Sequence, residues 1–341
     1  MGRNDACASS INRYCQNGLL MVVSLLLVAV LLWLSALPGA AMAQGSFPNK
    51  PIRFILPFPA GSGTDIGARV VAKQITEMTG QAVIVDNRAG GNGLIAAQAA
   101  ANAPADGYTV FITTMTTQAV NLALYRKLPY DPQKDFLPIT RFSLSPMLLV
   151  VRNTTDQPKT VTELVERARR TPALSYASGN TSSQVAAASL LSLAKITATH
   201  VPYKGTPQGL ADLIAGQIDF FFPDLTPSVP LVKDGKLRAL AVTGPERIAT
   251  LPDVPTMREA GFPVELLTWS GAFVPAGTPK ATVDRLYELM RKALLSDDYQ
   301  TLSQRIGTKT GGISPEEFTV FIRSEIELWG AAVRAAGIEP Q

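Results

Sequence analysis

Residues 52–65 read IRFILPFPAGSGTD, and this stretch decides the fold class. It opens with an apolar run bounded by prolines, which predicts a buried β-strand over residues 52–58. Glycines and small polar residues follow, and Thr64 and Asp65 are the expected N-cap of a helix that ends at Gly80. A strand that leads through a glycine loop into a helix is the start of a parallel βαβ unit.

The same alternation of strand and helix continues along the chain. Strands are predicted over residues 82–86, 108–113, 147–151, 174–177, 218–222, 237–242 and 271–274. An alanine-rich helix ends near residue 103, one terminal helix carries Val283, Leu286 and Met290, and the last begins at the capping box Ser314-Pro315-Glu316-Glu317. This order predicts an α/β fold in which helices cover both faces of parallel sheets.

The first 43 residues form a predicted export signal. Arg3 and Arg13 precede an apolar run over residues 19–37, and residues 41–43 (AMA) supply a small-x-small cleavage site. A permanent transmembrane anchor is the alternative, because a run of about 19 residues nearly spans a bilayer. We favour cleavage since no basic stop-transfer cluster follows, and we therefore expect a periplasmic protein.

Composition excludes several classes of protein and site. The 341 residues are 46% hydrophobic and 17% charged, which is sufficient for a sizeable core and unlike collagen, coiled coils or disordered chains. A net charge of +4 is too small to indicate a nucleic-acid surface. His200 is the only histidine, and Cys7 and Cys15, the only cysteines, fall in the predicted signal. We therefore expect no disulfide, no metal site and no cofactor.

Three glycine loops, at residues 59–65, 87–93 and 178–183, share the order strand, loop, helix. Each leaves unpaired backbone N–H groups at a helix N-terminus, which stabilises an anion by about 0.3–1 kcal/mol. In open α/β sheets such loops gather at the carboxyl ends of the strands, where ligands bind. For any single loop, the need for a tight turn is enough to explain the glycines. Three loops together favour a cleft that holds a small anion through backbone dipoles and hydroxyls, although they match no nucleotide-binding pattern.

Eight short motifs carry a family resemblance. They are PIR (51–53), PFPAGSGTD (57–65), NRAG (87–90), ADGY (105–108), VPYKG (201–205), GKLRALAV (235–242), LPDVPT (251–256) and PAGTP (275–279). Through them the chain after residue 43 resembles the Bug-type solute receptors, the extracytoplasmic components of tripartite tricarboxylate transporters. The resemblance implies a type II periplasmic-binding-protein fold, in which two Rossmann-like lobes close on a small carboxylate. Lobe one is expected over residues 44–144 and 267–341, and lobe two over residues 145–266.

The resemblance also implies which residues bind the ligand. The first β–α loop and the glycine/serine loop of lobe two hold the carboxylate, often through ordered waters. The polar run at residues 113–116 lines the cleft from lobe one, opposite residues 203–206. The implied residues are Phe58, Ala60, Gly61, Ser62, Gly63, Thr64, Asp65, Thr113, Thr114, Thr116, Ser178, Gly179, Asn180, Thr181, Ser182, Tyr203 and Asp224. For Asp65 the residue types favour N-capping over ligand contact.

Lobe two departs from the family pattern. Val185-Ala186 stand where His-Leu is frequent, Ser189 replaces a glutamate, and an acidic residue arrives one place late as Asp224. These changes make the wall less charged. An aromatic or otherwise less polar carboxylate, or a dicarboxylate, becomes a candidate ligand.

The expected role is therefore a binding protein and not an enzyme. Its expected partners are a small carboxylate and the transporter's membrane subunits, and the protein is expected to be a monomer. One alternative is a ligand-sensing subunit that acts on a sensor kinase. Another is an exported hydrolase that uses Ser178 or Ser182 with His200, although no G-x-S-x-G elbow is present. His200 is more simply a structural histidine at a strand edge, and Trp269 either lines the cleft or packs beside it.

Overall fold

The computed structural model describes residues 47–171 and 174–340, so the predicted export signal and both cysteines lie outside the described residues. The strands are β1 (Ile52–Leu56), β2 (Val83–Asn87), β3 (Thr109–Thr114), β4 (Phe136–Pro146), β5 (Leu148–Arg152), β6 (Ser175–Ser178), β7 (Thr199–Pro202), β8 (Phe220–Phe221), β9 (Leu237–Val242), β10 (Leu267–Pro275) and β11 (Lys309–Thr310).

The α-helices are α1 (Gly63–Thr79), α2 (Leu94–Ala101), α3 (Asn121–Leu124), α4 (Val161–Arg170), α5 (Thr181–Ala194), α6 (Thr206–Ala215), α7 (Leu225–Lys233), α8 (Lys280–Leu294), α9 (Asp297–Ile306) and α10 (Pro315–Ala335). A 3₁₀ turn (Gly91–Gly93) precedes α2, and a π-helical turn (Thr116–Val120) precedes α3. Within the described ranges, no helix is both long enough and apolar enough to cross a membrane.

The strands form two sheets. One has six strands in the order β11-β4-β10-β3-β1-β2, and the other has five in the order β7-β6-β8-β5-β9. The predicted α/β class is confirmed. The predicted parallel pairing is confirmed for β1 with β2 and β3, and β6 is likewise parallel to β7 and β8. Both sheets are nevertheless mixed, because β10 runs antiparallel to β3 and β4, and β5 runs antiparallel to β8 and β9. The antiparallel pairs arise where the chain passes from one sheet to the other and back.

The chain passes between the sheets at two places. It leaves the six-stranded sheet at the end of β4 and enters the five-stranded sheet directly in β5, and it returns after β9 along the segment that leads into β10. The expected lobe boundaries near residues 144 and 266 remain a prediction, although β4 itself continues to Pro146.

Several helix ends follow their sequence signals. The helix α1 ends at Gly80, which adopts the left-handed conformation (φ 69°) that glycine accommodates. The capping box predicted for α10 is present, with Ser314 and Glu317 bonding each other's backbone N–H groups. The predicted N-cap of α1 is wrong. Ser62 fills that position, and its hydroxyl accepts from the backbone N–H of Asp65.

Three elements of the fold, β4, β10 and α9, depart from the sequence prediction. The strand β4 is 11 residues long but contains Pro138 and Pro146, and proline in a run argues against a strand. The strand β10 covers nine residues where four were expected, and α9 was not expected at all. The strands β4 and β10 are neighbours in the six-stranded sheet, and both lead to the second sheet.

A shared apolar core joins the two lobes on the side of α10. It includes Trp329 and Val333 of α10, Val185 and Ala186 of α5, and Val120 of the π-helical turn, each 1% exposed or less. The helix α10 therefore covers the first sheet and reaches α5, which packs on the second. This packing holds the two sheets at a common cleft.

Candidate ligand-binding site

A cleft lies where the carboxyl ends of strands from the two sheets face each other. Hydroxyl groups dominate its wall, since 12 of its 21 lining residues are serine, threonine or tyrosine. The space that the centre of a water molecule can reach is about 50 Å³, which is room for a few water molecules. Among the described lining residues Asp224 is the one charged side chain, and none is a cation.

Four helix N-termini converge on this wall. Gly63 begins α1, Asn180 is the N-cap of α5, Thr206 begins α6 and Asp224 is the N-cap of α7, and all four residues line the cleft. Each N-terminus presents unpaired N–H groups and a partial positive charge. The wall therefore carries a positive potential without a lysine or arginine, which suits a small anion.

Asp65 organises the loop between β1 and α1 from behind the wall. Its carboxylate is 2% exposed and accepts hydrogen bonds from the Gly61 N–H (2.9 Å), from Asn87 (2.9 Å) and from Arg69 (3.0 and 3.1 Å). Burial by itself would raise the pKa of Asp65, but these hydrogen bonds and the Arg69 charge hold it below its ordinary value. Asp65 thus supports the loop as an ionised anchor and does not line the cleft.

The loop of lobe two is held by its own capping interactions. The Asn180 side chain accepts from the Ser183 N–H (2.9 Å) and the Ser182 hydroxyl (2.8 Å), while the Ser183 hydroxyl accepts from the Gly179 N–H (3.1 Å). A Cβ at Gly179 would lie 2.5 Å from the backbone nitrogen of Thr206. The glycine is therefore required by the close approach of the loop that starts α6.

Asp224 faces the cleft from the start of α7. Its side chain makes no capping bond to its own helix; instead its Oδ2 accepts a 2.9 Å hydrogen bond from the Thr206 hydroxyl. Burial raises the pKa of Asp224 above its ordinary value, and hydrogen bonds from Thr206 and Asn180 offset this only in part. Asp224 is thus the one carboxyl among the described lining residues, and its pKa is raised.

The crossing strands supply the floor of the cleft. The hydroxyls of Ser143 and Ser270 are 2.8 Å apart, and those of Ser145 and Thr268 are 3.3 Å apart. These residues alternate along β4 and β10, so their side chains share one face. Trp269 contributes to the wall, but its indole is 1% exposed and packs against Phe318 on the other side. Of the two roles expected for Trp269, its side chain therefore has the second, packing beside the cleft.

The structure brings part of the predicted set to the cleft wall. The predicted residues that line it are Phe58, Ser62, Gly63, Thr64, Thr114, Asn180 and Asp224. The other predicted residues stand outside this lining, namely Ala60, Gly61, Asp65, Thr113, Thr116, Ser178, Gly179, Thr181, Ser182 and Tyr203. Tyr203, for example, donates its hydroxyl to Asp212 at 2.7 Å.

The sequence interpretation missed the polar floor, whereas the loop expected to face the cleft, residues 203–206, does include Thr206. The signal for the floor was present, since residues 143–145 (SLS) and 268–270 (TWS) both alternate small polar residues with large apolar ones. The strands predicted over residues 147–151 and 271–274 begin just after these two segments, which lie in β4 and β10. Thr206 follows the VPYKG motif directly and begins α6.

The pair proposed for a hydrolase lies off the cleft. Ser178 Oγ and His200 Nε2 are 2.7 Å apart, and His200 stacks on Tyr176 with ring centroids 4.9 Å apart. Ser178 is buried, and neither residue lines the cleft. His200 lies in β7, the edge strand of its sheet, as predicted. Within residues 47–171 and 174–340, no group of three or more His, Cys, Asp or Glu is placed to hold a metal ion.

Comparison with known proteins gives consistent matches over most of the chain. The family model described as a tripartite tricarboxylate transporter family receptor matches residues 67–338. Protein BugT of Bordetella pertussis (strain Tohama I) is 30% identical over 304 residues, which cover 88% of this chain and 93% of BugT.

Two solved structures with named ligands are also similar. Rpa4515 of R. palustris, solved with adipate, is 34% identical with a TM-score of 0.83, and the match covers 86% of this chain and 100% of Rpa4515. MatC (Rpa3494) from Rhodopseudomonas palustris, with bound malate, is 31% identical with a TM-score of 0.80, and the match covers 84% of this chain and 100% of MatC.

Proposed function

This chain belongs to the tripartite tricarboxylate transporter receptor family, with the type II periplasmic-binding-protein fold of two α/β lobes, and from that premise we propose that it captures a small carboxylate in its interlobe cleft and delivers it to the membrane subunits of a transporter. The protein acts in the periplasm as a monomer, after cleavage of the export signal in residues 1–43. The lobes meet near residues 144 and 266, where the crossing strands serve as the hinge.

The observation that carries this proposal is the chemistry of the cleft wall. Four helix N-termini and 12 hydroxyl-bearing residues face a cleft without a cationic side chain among its described lining. Each hydrogen bond to a charged oxygen contributes about 1.5–3 kcal/mol. A few such bonds and lobe closure account for micromolar affinity, which corresponds to about −8 kcal/mol.

Two similar proteins support an aliphatic dicarboxylate as the ligand class. One was solved with adipate and the other with malate. Each of these two ligands carries a carboxylate at each end of a short chain. The less charged lobe-two wall, with Val185-Ala186 and Ser189, keeps an aromatic carboxylate in the set to be tested.

A thermal-shift screen tests the proposal directly. The full-length gene is expressed with its export signal, the protein is purified from the periplasm, and intact mass identifies its first residue. Malonate, succinate, malate, glutarate, adipate and benzoate are then compared at equal ionic strength. A ligand present at one hundred times its Kd adds about 2.7 kcal/mol of stability, which appears as a clear rise in Tm.

A charge variant separates binding in this cleft from a general salt effect. Thr64→Glu places an acid in the first turn of α1, where it favours the helix but repels an anion in the cleft. Met78→Glu adds the same charge at an exposed position near the end of that helix. We expect Thr64→Glu to abolish the shift and Met78→Glu to retain it. A folded wild-type protein that responds to no carboxylate would contradict the proposed function.

A further inference from the structure

Asp224 presents an electrostatic conflict, because it is an acid in a cleft proposed to bind an acid. It is the one charged side chain among the described residues of the wall. Its Oδ2 accepts from the Thr206 hydroxyl, and its carboxyl does not cap α7. An ionised Asp224 would repel a ligand carboxylate in the same space, since no cation stands on the wall to neutralise either group.

The surroundings of Asp224 leave its charge uncompensated. The neighbouring elements are the starts of α1, α5 and α6, the helix α9 and the strand β9, which pack on α7, and the strand β5, whose Leu148 N–H donates to the Pro223 carbonyl. Their ionisable groups are Asp65 and Arg69 on α1, Asp212 on α6, Asp297, Asp298, Tyr299 and Arg305 on α9, Arg238 on β9 and Arg152 on β5, while Lys233 stands at the far end of α7.

These neighbouring charges are engaged elsewhere. Asp65 pairs with Arg69, Asp212 accepts from Tyr203, and Asp298 pairs with Lys73. None of the ionisable neighbours adds a charge interaction to the pKa of Asp224, which burial raises. The carboxyl is therefore set to take up a proton more readily than an ordinary aspartate.

We propose that the cleft binds its dicarboxylate together with one proton, which Asp224 holds and donates as an O–H hydrogen bond to a ligand carboxylate oxygen. The proton comes from solvent, and Oδ2 continues to accept the hydrogen bond that the Thr206 hydroxyl donates. The helix N-termini then balance the remaining negative charge of the ligand. This inference rests on the proposed function and specifies the protonation state in which the cleft accepts its ligand.

Proton-linked binding has a measurable signature. Above the pKa of Asp224 in the free protein, the Kd rises by up to about tenfold for each pH unit. Between pH 7 and 8 both carboxyl groups of an aliphatic dicarboxylate are well above their pKa values and essentially ionised, so their own titration contributes little in this range. Calorimetric titrations in buffers with different ionisation enthalpies count the protons taken up for each ligand bound.

The experiment uses malate and adipate as probes, with two matched variants. Asp224→Asn supplies a permanent N–H donor in place of the O–H, so we expect binding with no proton uptake and a Kd that no longer changes with pH. Asp234→Asn makes the same substitution at the exposed far end of α7 and retains the uptake of close to one proton. Circular dichroism checks that both variants are folded.

Each outcome has a separate meaning. Wild-type binding without proton uptake overturns the inference and leaves the proposed function standing. A folded Asp224→Asn variant that binds neither probe at any pH also overturns it, because a permanent N–H donor at this place would then not replace the proposed O–H donor. Binding of neither probe by the wild type, together with no response in the carboxylate screen, contradicts the proposed function itself.

Discussion

The indole Nε1 of Trp269 donates a 2.8 Å hydrogen bond to Oε2 of Glu325, and the same oxygen accepts from Trp329 at 3.0 Å. Trp269 lies on β10, whose neighbouring residues form the cleft floor, while Glu325 and Trp329 lie on α10. Burial raises the pKa of Glu325, and the two indole bonds oppose this only in part. One buried carboxyl therefore fastens the last helix to a crossing strand.

Removing that acceptor is expected to destabilise the protein. Glu325→Leu leaves two buried indole N–H groups without a partner, which costs about 1–3 kcal/mol for each unsatisfied donor. Glu325→Gln keeps a carbonyl acceptor and serves as the matched control with a smaller loss. Urea unfolding followed by tryptophan fluorescence measures both, since Trp269 and Trp329 are the tryptophans beyond the predicted export signal. A leucine variant as stable as the wild type would show that the indole bonds contribute nothing.

The single histidine predicts a distinct acid sensitivity. Burial lowers the pKa of His200 below 6.5, so the unfolded chain binds a proton more readily than the folded protein. The stabilising contribution is complete above the unfolded-state pKa and is lost as the pH falls from about 6.5 towards the folded-state pKa. We expect the Tm of the wild type to fall more steeply between pH 7 and 5 than that of His200→Gln. Parallel Tm curves for the two proteins would rule out a lowered pKa.

Contact between the lobes leaves no room for a side chain at Gly205. A Cβ there would overlap the ring of Pro59, which lies on the opposite side in the β1–α1 loop. Gly205→Ala therefore opposes lobe closure at a cost of about 1–3 kcal/mol, or roughly a 5- to 150-fold loss of carboxylate affinity. Gly330→Ala, where the new methyl meets only the flexible Arg334 at 3.5 Å, is the control. Small-angle scattering that shows an equally compact Gly205→Ala variant would refute the steric effect.

The Thr243 hydroxyl ties together both segments that pass between the sheets. It accepts from the Met147 N–H at 2.9 Å and donates to the Leu266 carbonyl at 2.6 Å, and Thr243 is fully buried. Thr243→Val keeps the shape of the side chain but leaves the Met147 N–H and the Leu266 carbonyl without this hydrogen-bond partner. We therefore expect the free energy of unfolding to fall by about 1–3 kcal/mol for each group. Thr243→Ser restores the hydroxyl and most of the stability. Equal urea midpoints for the two variants would mean that the hydroxyl does not connect the segments.

Local sequence signals located many elements because they act over a few residues. The strand predicted over residues 237–242 coincides with β9, and Gly80 and Ser314 mark the helix ends that were expected. The N-cap of α1 was misassigned because Ser62, Thr64 and Asp65 are all good capping residues. Only the contacts of Asp65 with Gly61, Arg69 and Asn87, the last 22 residues away, decide which one caps.

The sequence by itself determined the α/β class, the family and the glycine loops that begin the helices at the cleft. Strand, turn and capping preferences are encoded within short windows, and the family motifs are read residue by residue. The tertiary structure decided which loop residues face the cleft, the antiparallel place of β10, and the polar floor of Ser143 and Ser270. The place of β10 and the polar floor depend on contacts between residues more than one hundred positions apart, which no local pattern specifies.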